Sequence, residues 1–255
     1  MPSWTPRPGR ARRIAPVSSR VALPAAPARE SLADSVHASL LTWLMDGGAA
    51  PGSPLSIDGL ARDLGVSPTP VREALVRMES TGLVERAAMR GYRVAGMLSR
   101  EEIDQLMDAR LLLECHNVAL AAQRVEEDLL VRLSATVERM AVAPRGPSFA
   151  DYRDYHQADN EFHRLLNRAG GNGFLADAFE GLNGQLQRFR LRALGQGVTD
   201  ADLAVAEHVA VVDALRVRDG DAAAARMREH LEAVRSRALD DRAAAGLDAA
   251  PEPAP

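Results

Sequence analysis

The sequence predicts a mainly α-helical protein in two parts: a short segment of small helices that ends in a β-hairpin, and a longer segment of helices alone. Three observations carry that expectation. Between Ser31 and Ala95, apolar repeats at helical spacing are interrupted by Gly47-Gly48, Pro51-Gly52 and Gly65-Val66, and a β-like stretch closes the segment. After Ser99 the apolar pattern has the helical period throughout. The two ends, 1–28 and 242–255, are rich in Pro and Ala without any period, which is the composition of disordered tails. The expected organisation is a basic tail over 1–28, a first domain over 29–97, a second over 98–241 and a tail over 242–255.

Within the first domain, Ser56 is placed to cap a short helix whose Leu60, Ala61 and Leu64 face inward. Gly65 permits a left-handed turn, Val66 fills the angle between helices, and Ser67 caps the next helix. That helix sets Val71, Ala74, Leu75 and Met78 on one side for a core. Ser67, Thr69, Arg72 and Glu73 are left on its outward N-terminal part, where a recognition helix presents groups to the major groove. Pro68 suits the first turn, which has no use for its missing N–H. After Gly82, residues 83–85 and 92–94 pair as strands around 86–91, a wing whose Arg90 and Gly91 can approach a DNA backbone or minor groove. Three helices and a hairpin in this order form a winged helix-turn-helix.

The second domain opens with a capping box, Ser99 and Glu102, for a helix running to about residue 122. Further helices are expected over 126–142, 148–168, 174–194, 200–217 and 221–239, separated by Pro144/Pro147, the Gly170 to Gly173 turn, Gly195/Gly197 and Asp219-Gly220. Six helices with short connections pack as an antiparallel bundle.

Composition narrows the class. At 255 residues with 46% hydrophobic and 26% charged content, the chain is globular, and no run approaches the roughly 20 apolar residues of a membrane span. No apolar leader core is present either, so the expected location is the cytoplasm, without membrane partners. Cys115 is the single cysteine, which excludes an intrachain disulfide and reads as a small buried hydrophobe. The net charge of −4 conceals an asymmetry: residues 1–29 hold six arginines and no acid, whereas 96–255 hold nineteen arginines against twenty-seven acids. Such a tail is suited to meet polyanions, although an arginine-rich composition without any lysine explains it equally well.

Four histidines cluster in the later helices. Asp159 and His163 are four residues apart and share a helix face; His208 and His230 follow on the last two helices, which antiparallel packing can bring to the same face. Three imidazoles and a carboxylate suit one divalent transition metal per chain, zinc foremost, with nickel, manganese or iron also admitted, and with open positions left. His156 is read as a solvated or supporting group. Arg110, Glu114 and Asn117 share a face of the first bundle helix. Arg110 either clamps the carboxylate of a small effector in two-pronged geometry or pairs only with Glu114.

The first domain resembles the GntR family of bacterial regulators over Ser31 to Ala95, through Leu64-Gly65-Val66-Ser67, Thr69 to Leu75 and Gly91-Tyr92-Arg93-Val94. The resemblance implies that Thr69 and Arg72 contact DNA and that Gly91 sits at the wing tip. Asp58 and Pro68 stand where many members have arginine, which implies a half-site other than the family's commonest. The second domain resembles the FadR-type C-terminal domain over about 100–240, through Arg110 to Glu114, Asp159 to His163, Glu207-His208 and Arg228 to Leu231. That resemblance implies Asp159, His163, His208 and His230 as metal ligands. Together they imply a homodimeric transcriptional regulator, not an enzyme, on a pseudo-palindromic double-stranded operator and released by a small organic acid. The alternatives are a purely structural metal or a metalloenzyme, against which stands the lack of a motif-placed general base.

Overall fold

The computed structural model describes residues 31–87, 91–146, 148–190, 200–244 and 247. The predicted tail over 1–28, Arg90 and the expected end of the fourth bundle helix at 191–194 lie outside the described residues.

The first part begins with α1 (Leu32–Met45), held by a capping box between Ser31 and Asp34. It continues through β1 (Pro54–Leu55), α2 (Ile57–Leu64), α3 (Pro68–Ser80), β2 (Val84–Ala87) and β3 (Gly91–Val94). Gly65 ends α2 at φ 67°, a left-handed turn open to glycine at little cost, and the chain then enters α3. The expected hairpin is present, with Val84 opposite Val94 and Ala87 opposite Gly91. A third strand joins it: β1 pairs antiparallel with β3, Leu55 opposite Tyr92, giving the order β1-β3-β2. Two residues are too few to show an alternating pattern, which is why the sequence predicts only the hairpin.

Two local expectations change. Leu64 is exposed at 36%, while Ala61 carries the buried face of α2; the last turn of this eight-residue helix has already swung outward. Ser67 occupies the cap position of α3, but its side chain makes no capping hydrogen bond. The usual donors are the second and third helical N–H groups, and here the third residue is Pro70, which has none.

The six bundle helices are α4 (Arg100–Ala122), α5 (Glu127–Val142), α6 (Phe149–Ala169), α7 (Gly173–Arg190), α8 (Ala201–Arg216) and α9 (Gly220–Ala244). Their starts fall within two residues of the expected ones. The last helix runs past residue 241 into the segment expected to be a tail. No glycine or proline interrupts 240–244, and Arg242 anchors that stretch by donating to the Leu98 carbonyl at 2.8 Å. α4 packs against α9, α6 and α7, while α8 lies between α9 and α5. Met107, Val118, Leu133, Phe162, Leu215 and Leu231 fill the core. Gly170 lets the end of α6 approach α4: an added Cβ would lie 3.0 Å from the Asn117 carbonyl oxygen. No helix among the described residues is long and apolar enough to cross a membrane.

Two apolar clusters result, and the smaller is not confined to the first part. Phe149 and Tyr152, from the first turn of α6, belong to the cluster of Leu40, Leu44, Val71, Leu75 and Tyr92. The Asp46 carboxylate accepts from the Phe149 backbone N–H, and Arg153 donates to Thr42 Oγ at 2.9 Å. One helix therefore reaches from the core of the winged helix into the core of the bundle.

Candidate metal centre and DNA-reading surface

His163 on α6, His208 on α8 and His230 on α9 meet inside the bundle, all three at most 3% exposed. One ring nitrogen of each lies within 4.8 Å of the others. The Nε2 atoms of His163 and His208 are 3.4 Å apart, and Asp159 Oδ1 stands 3.7 Å from the first and 3.4 Å from the second. Ligands held at about 2.1 Å from one tetrahedral ion are separated by about 3.4 Å, so these spacings fit a common ion.

The remaining nitrogens explain why the Nε2 atoms point inward. His163 Nδ1 contacts Glu114 Oε2 at 2.5 Å, His208 Nδ1 contacts the Ala204 carbonyl at 2.6 Å, and His230 Nδ1 contacts Glu207 Oε2 at 2.7 Å. Carboxylates and carbonyls only accept, so each Nδ1 carries a proton, and in the neutral tautomer Nε2 is the nitrogen left with a lone pair. His230 Nε2 is buried and, among the described residues, has no hydrogen-bond partner. An orphaned lone pair in the interior is costly, and a cation satisfies it.

The electrostatics agree with a neutral His230 imidazole beside ionised carboxylates. Burial first, and the neighbouring His208 second, push the His230 pKa down to about 3 despite its bond to Glu207. Burial disfavours charge on Glu114, yet Arg110 and His163 outweigh it and hold the pKa at about 2. Glu207 behaves alike: His230 and Arg237 overcome its burial and hold it at about 2. Arg237 secures Glu207 at 2.8 Å and Asp200 at 2.5 Å, tying the start of α8 to α9.

Arg110 is buried, and its Nε donates to Glu114 Oε1 at 2.6 Å. Glu114 thus joins Arg110 to His163, so the pairing expected of Arg110 also sets it beside the histidine cluster. Asn117 donates to Asn167 at 2.7 Å, and Asn167 to the His163 carbonyl at 2.8 Å, which fixes that turn of α6. His156 is half-buried against Tyr152 and Tyr155, with ring centroids 5.2 and 5.6 Å away. Glu207, Arg237 and Asn167 escape sequence reasoning. Glu207 adjoins His208 in the chain, but neighbouring helical residues face different ways, and its partner His230 lies on another helix.

On the other part of the molecule, Val71, Ala74, Leu75 and Met78 are buried on α3, while Ser67, Pro68, Thr69, Arg72 and Glu73 are exposed. Val76, 51% exposed, continues the outward stripe of Thr69, Arg72 and Glu73 at helical spacing. Because Pro68 and Pro70 lack N–H groups, Thr69 supplies the single main-chain donor among the first three residues of α3. Gly91 opens β3 at φ 82°, paired with Ala87, so it stands in the wing strand beside the hairpin turn.

Comparison with known proteins places both parts. Residues 32–94 match the family model described as bacterial regulatory proteins, gntR family, and residues 105–233 match the FCD domain. The HTH-type transcriptional repressor RspR of Escherichia coli (strain K12) is 27% identical over 72% of this chain and 79% of that protein. An HTH-type transcriptional regulator in an unstable DNA locus of Streptomyces ambofaciens is 32% identical over 72% of this chain and 75% of its own length. The solved structure of E. coli McbR/YncC superposes with a TM-score of 0.65 at 22% identity, covering 82% of this chain and 98% of that one.

Proposed function

The chain belongs to the GntR family of bacterial regulatory proteins and carries an FCD domain, and from that premise we propose a DNA-binding transcriptional regulator whose operator affinity responds to a small carboxylate at a divalent-metal centre. The family activity is regulation of transcription, not catalysis.

One observation carries the metal reading: three buried imidazoles spend Nδ1 on fixed acceptors and turn Nε2 toward one point, where His230 Nε2 has no protein partner. His163, His208 and His230 would hold the ion, with Asp159 as the fourth ligand; zinc suits this set, and nickel, manganese or iron are admitted by it. When bound, the ion supplies a Lewis-acidic position for a carboxylate oxygen. Arg110 is the residue to orient that carboxylate, with Glu114 holding its guanidinium in place.

DNA is read by α3 and the wing. Thr69 and Arg72 face the major groove, Ser67 and Pro68 lie at its edge, and Arg90 with Gly91 meets the backbone or minor groove. A homodimer presents two such helices to a pseudo-palindromic site. Effector binding acts through α6, whose C-terminal half carries Asp159 and His163 and whose first turn is part of the winged-helix core. The ligand shifts the equilibrium only through different affinity for the DNA-competent and released arrangements. Repression relieved by the ligand is the preferred sense, in keeping with a relative named as a repressor.

The test is elemental analysis of the purified protein followed by operator titrations with a panel of short organic acids, in wild type and His230→Ala. One metal per chain, ligand-dependent operator release in wild type and no release in the variant support the reading. Metal content with no acid-dependent change leaves the ion a structural one and overturns the effector role.

A further inference from the structure

A cleft of about 180 Å³ lies between α1 and the first half of α6, remote in chemistry from the histidine cluster. Its apolar lining is Leu41 and Met45 of α1 with Phe149 of α6; its polar lining, all from α6, is Arg153, His156, Gln157 and Asn160. Arg153 is half-buried there. Its Nη2 donates to Thr42 Oγ at 2.9 Å, and its guanidinium carbon lies 5.7 Å from the centre of the Phe149 ring. Among the described residues it has no carboxylate partner, in contrast to Arg110, Arg139, Arg164 and Arg237, which all do.

A partly desolvated guanidinium held by one hydroxyl and one ring face retains donors and an unbalanced charge, and a carboxylate satisfies both at once. The apolar lining has no use for a second charge and favours an alkyl chain or a ring. The volume is below that of drug-sized pockets, which limits the guest to a short aliphatic or single-ring acid. We propose that this cleft is a second ligand site, for a small amphipathic monocarboxylate, with the carboxylate on Arg153 and the apolar portion between Leu41, Met45 and Phe149. Its walls belong to the two elements that join the winged helix to the bundle, so occupancy bears directly on how α1 is held against α6. The site contains no metal ligand and does not depend on the metal reading.

The probe is hexanoate, titrated calorimetrically into the full-length protein, with 1-hexanol as the neutral control. Hexanoate is expected to bind with millimolar or better affinity, and 1-hexanol about tenfold or more weaker, the range for losing a charged hydrogen bond. Arg153→Gln is expected to weaken hexanoate by a similar factor. Leu41→Trp, which narrows the cleft while leaving the Arg153 to Thr42 bond, is expected to weaken it as well, and His230→Ala to leave it unchanged. The proposal is overturned by three results: no hexanoate binding at millimolar concentration, equal binding of hexanoate in Arg153→Gln and Leu41→Trp, or loss in His230→Ala, which assigns the acid to the histidine cluster.

Discussion

Glu207 accepts a hydrogen bond from His230 at 2.7 Å across the α8 and α9 interface, and Arg237 holds that carboxylate from its far side at 2.8 Å. The carboxylate keeps the proton on Nδ1 and the lone pair on Nε2, the form a metal requires. Glu207→Ala is therefore expected to lower metal affinity by about 10- to 100-fold while leaving all three histidines in place. Competition with a chromophoric chelator measures this; an unchanged affinity shows that Glu207 is only a packing group.

The pH dependence of stability follows from three groups that act in the same direction. The His230 pKa falls from 6.5 to about 3 on folding, so between those values the unfolded chain binds more protons and stability drops as the solution is acidified. Glu114 and Glu207 fall from 4.5 to about 2, and their stabilisation is complete above 4.5 and is lost as the pH descends toward 2. The metal-free protein is expected to have a melting temperature that declines below pH 6.5 and declines more steeply below 4.5. Glu114→Gln should flatten the lower limb. A melting temperature that rises on acidification from 6.5 to 4.5 contradicts the neutral, buried state of His230.

Arg72 tests the DNA-reading face. It is exposed on α3 in the stripe of Thr69, Glu73 and Val76. Arg72→Ala is expected to cost about 1 to 3 kcal/mol of specific operator binding, with the melting temperature unchanged. Anisotropy titrations on specific and scrambled DNA distinguish base reading, in which only the specific affinity falls, from phosphate contact, in which both fall together.

The residues that were legible in the sequence are those whose neighbours along the chain fix their direction. Val71, Ala74, Leu75 and Met78 announce the buried side of α3 by helical spacing, and Gly65 announces the turn before it. Ser99 with Glu102 marks the start of α4. What stayed hidden depends on partners distant in the chain. β1 is two residues long and exists because Tyr92 accepts Leu55 as a pair. Glu114 and Glu207 look like ordinary helical acids until tertiary packing buries them against His163 and His230. Asp159 and His163 share a helix and could be paired from spacing alone, whereas their meeting with His208 and His230 needed three helices in place. Phe149 and Tyr152 carry the α6 apolar pattern, and nothing in that pattern says that they complete the core of the other part.

That last feature supplies the test of how the two parts communicate. Tyr152 is 1% exposed, packs edge-on to Phe149 at 5.4 Å, and lies in the winged-helix cluster although it belongs to α6. Its truncation to Ala removes the whole phenol ring from a filled interior and is expected to cost about 3 to 5 kcal/mol. The cost should fall on the join rather than on either core alone: Met107, Leu133 and Leu231 pack without Tyr152, and Val71, Leu75 and Met78 keep most of their neighbours. A single cooperative melt in wild type should therefore separate into two transitions in Tyr152→Ala, with the lower one assigned to the winged helix. Metal binding should survive, because Asp159 and His163 lie about two to three turns further along α6. If α6 carries the response, operator affinity in the variant should no longer change on loading the metal and the effector, even while both still bind. A variant that melts in two steps yet releases operator normally would show that the coupling runs by another route, and α6 would be only the mounting of the winged helix.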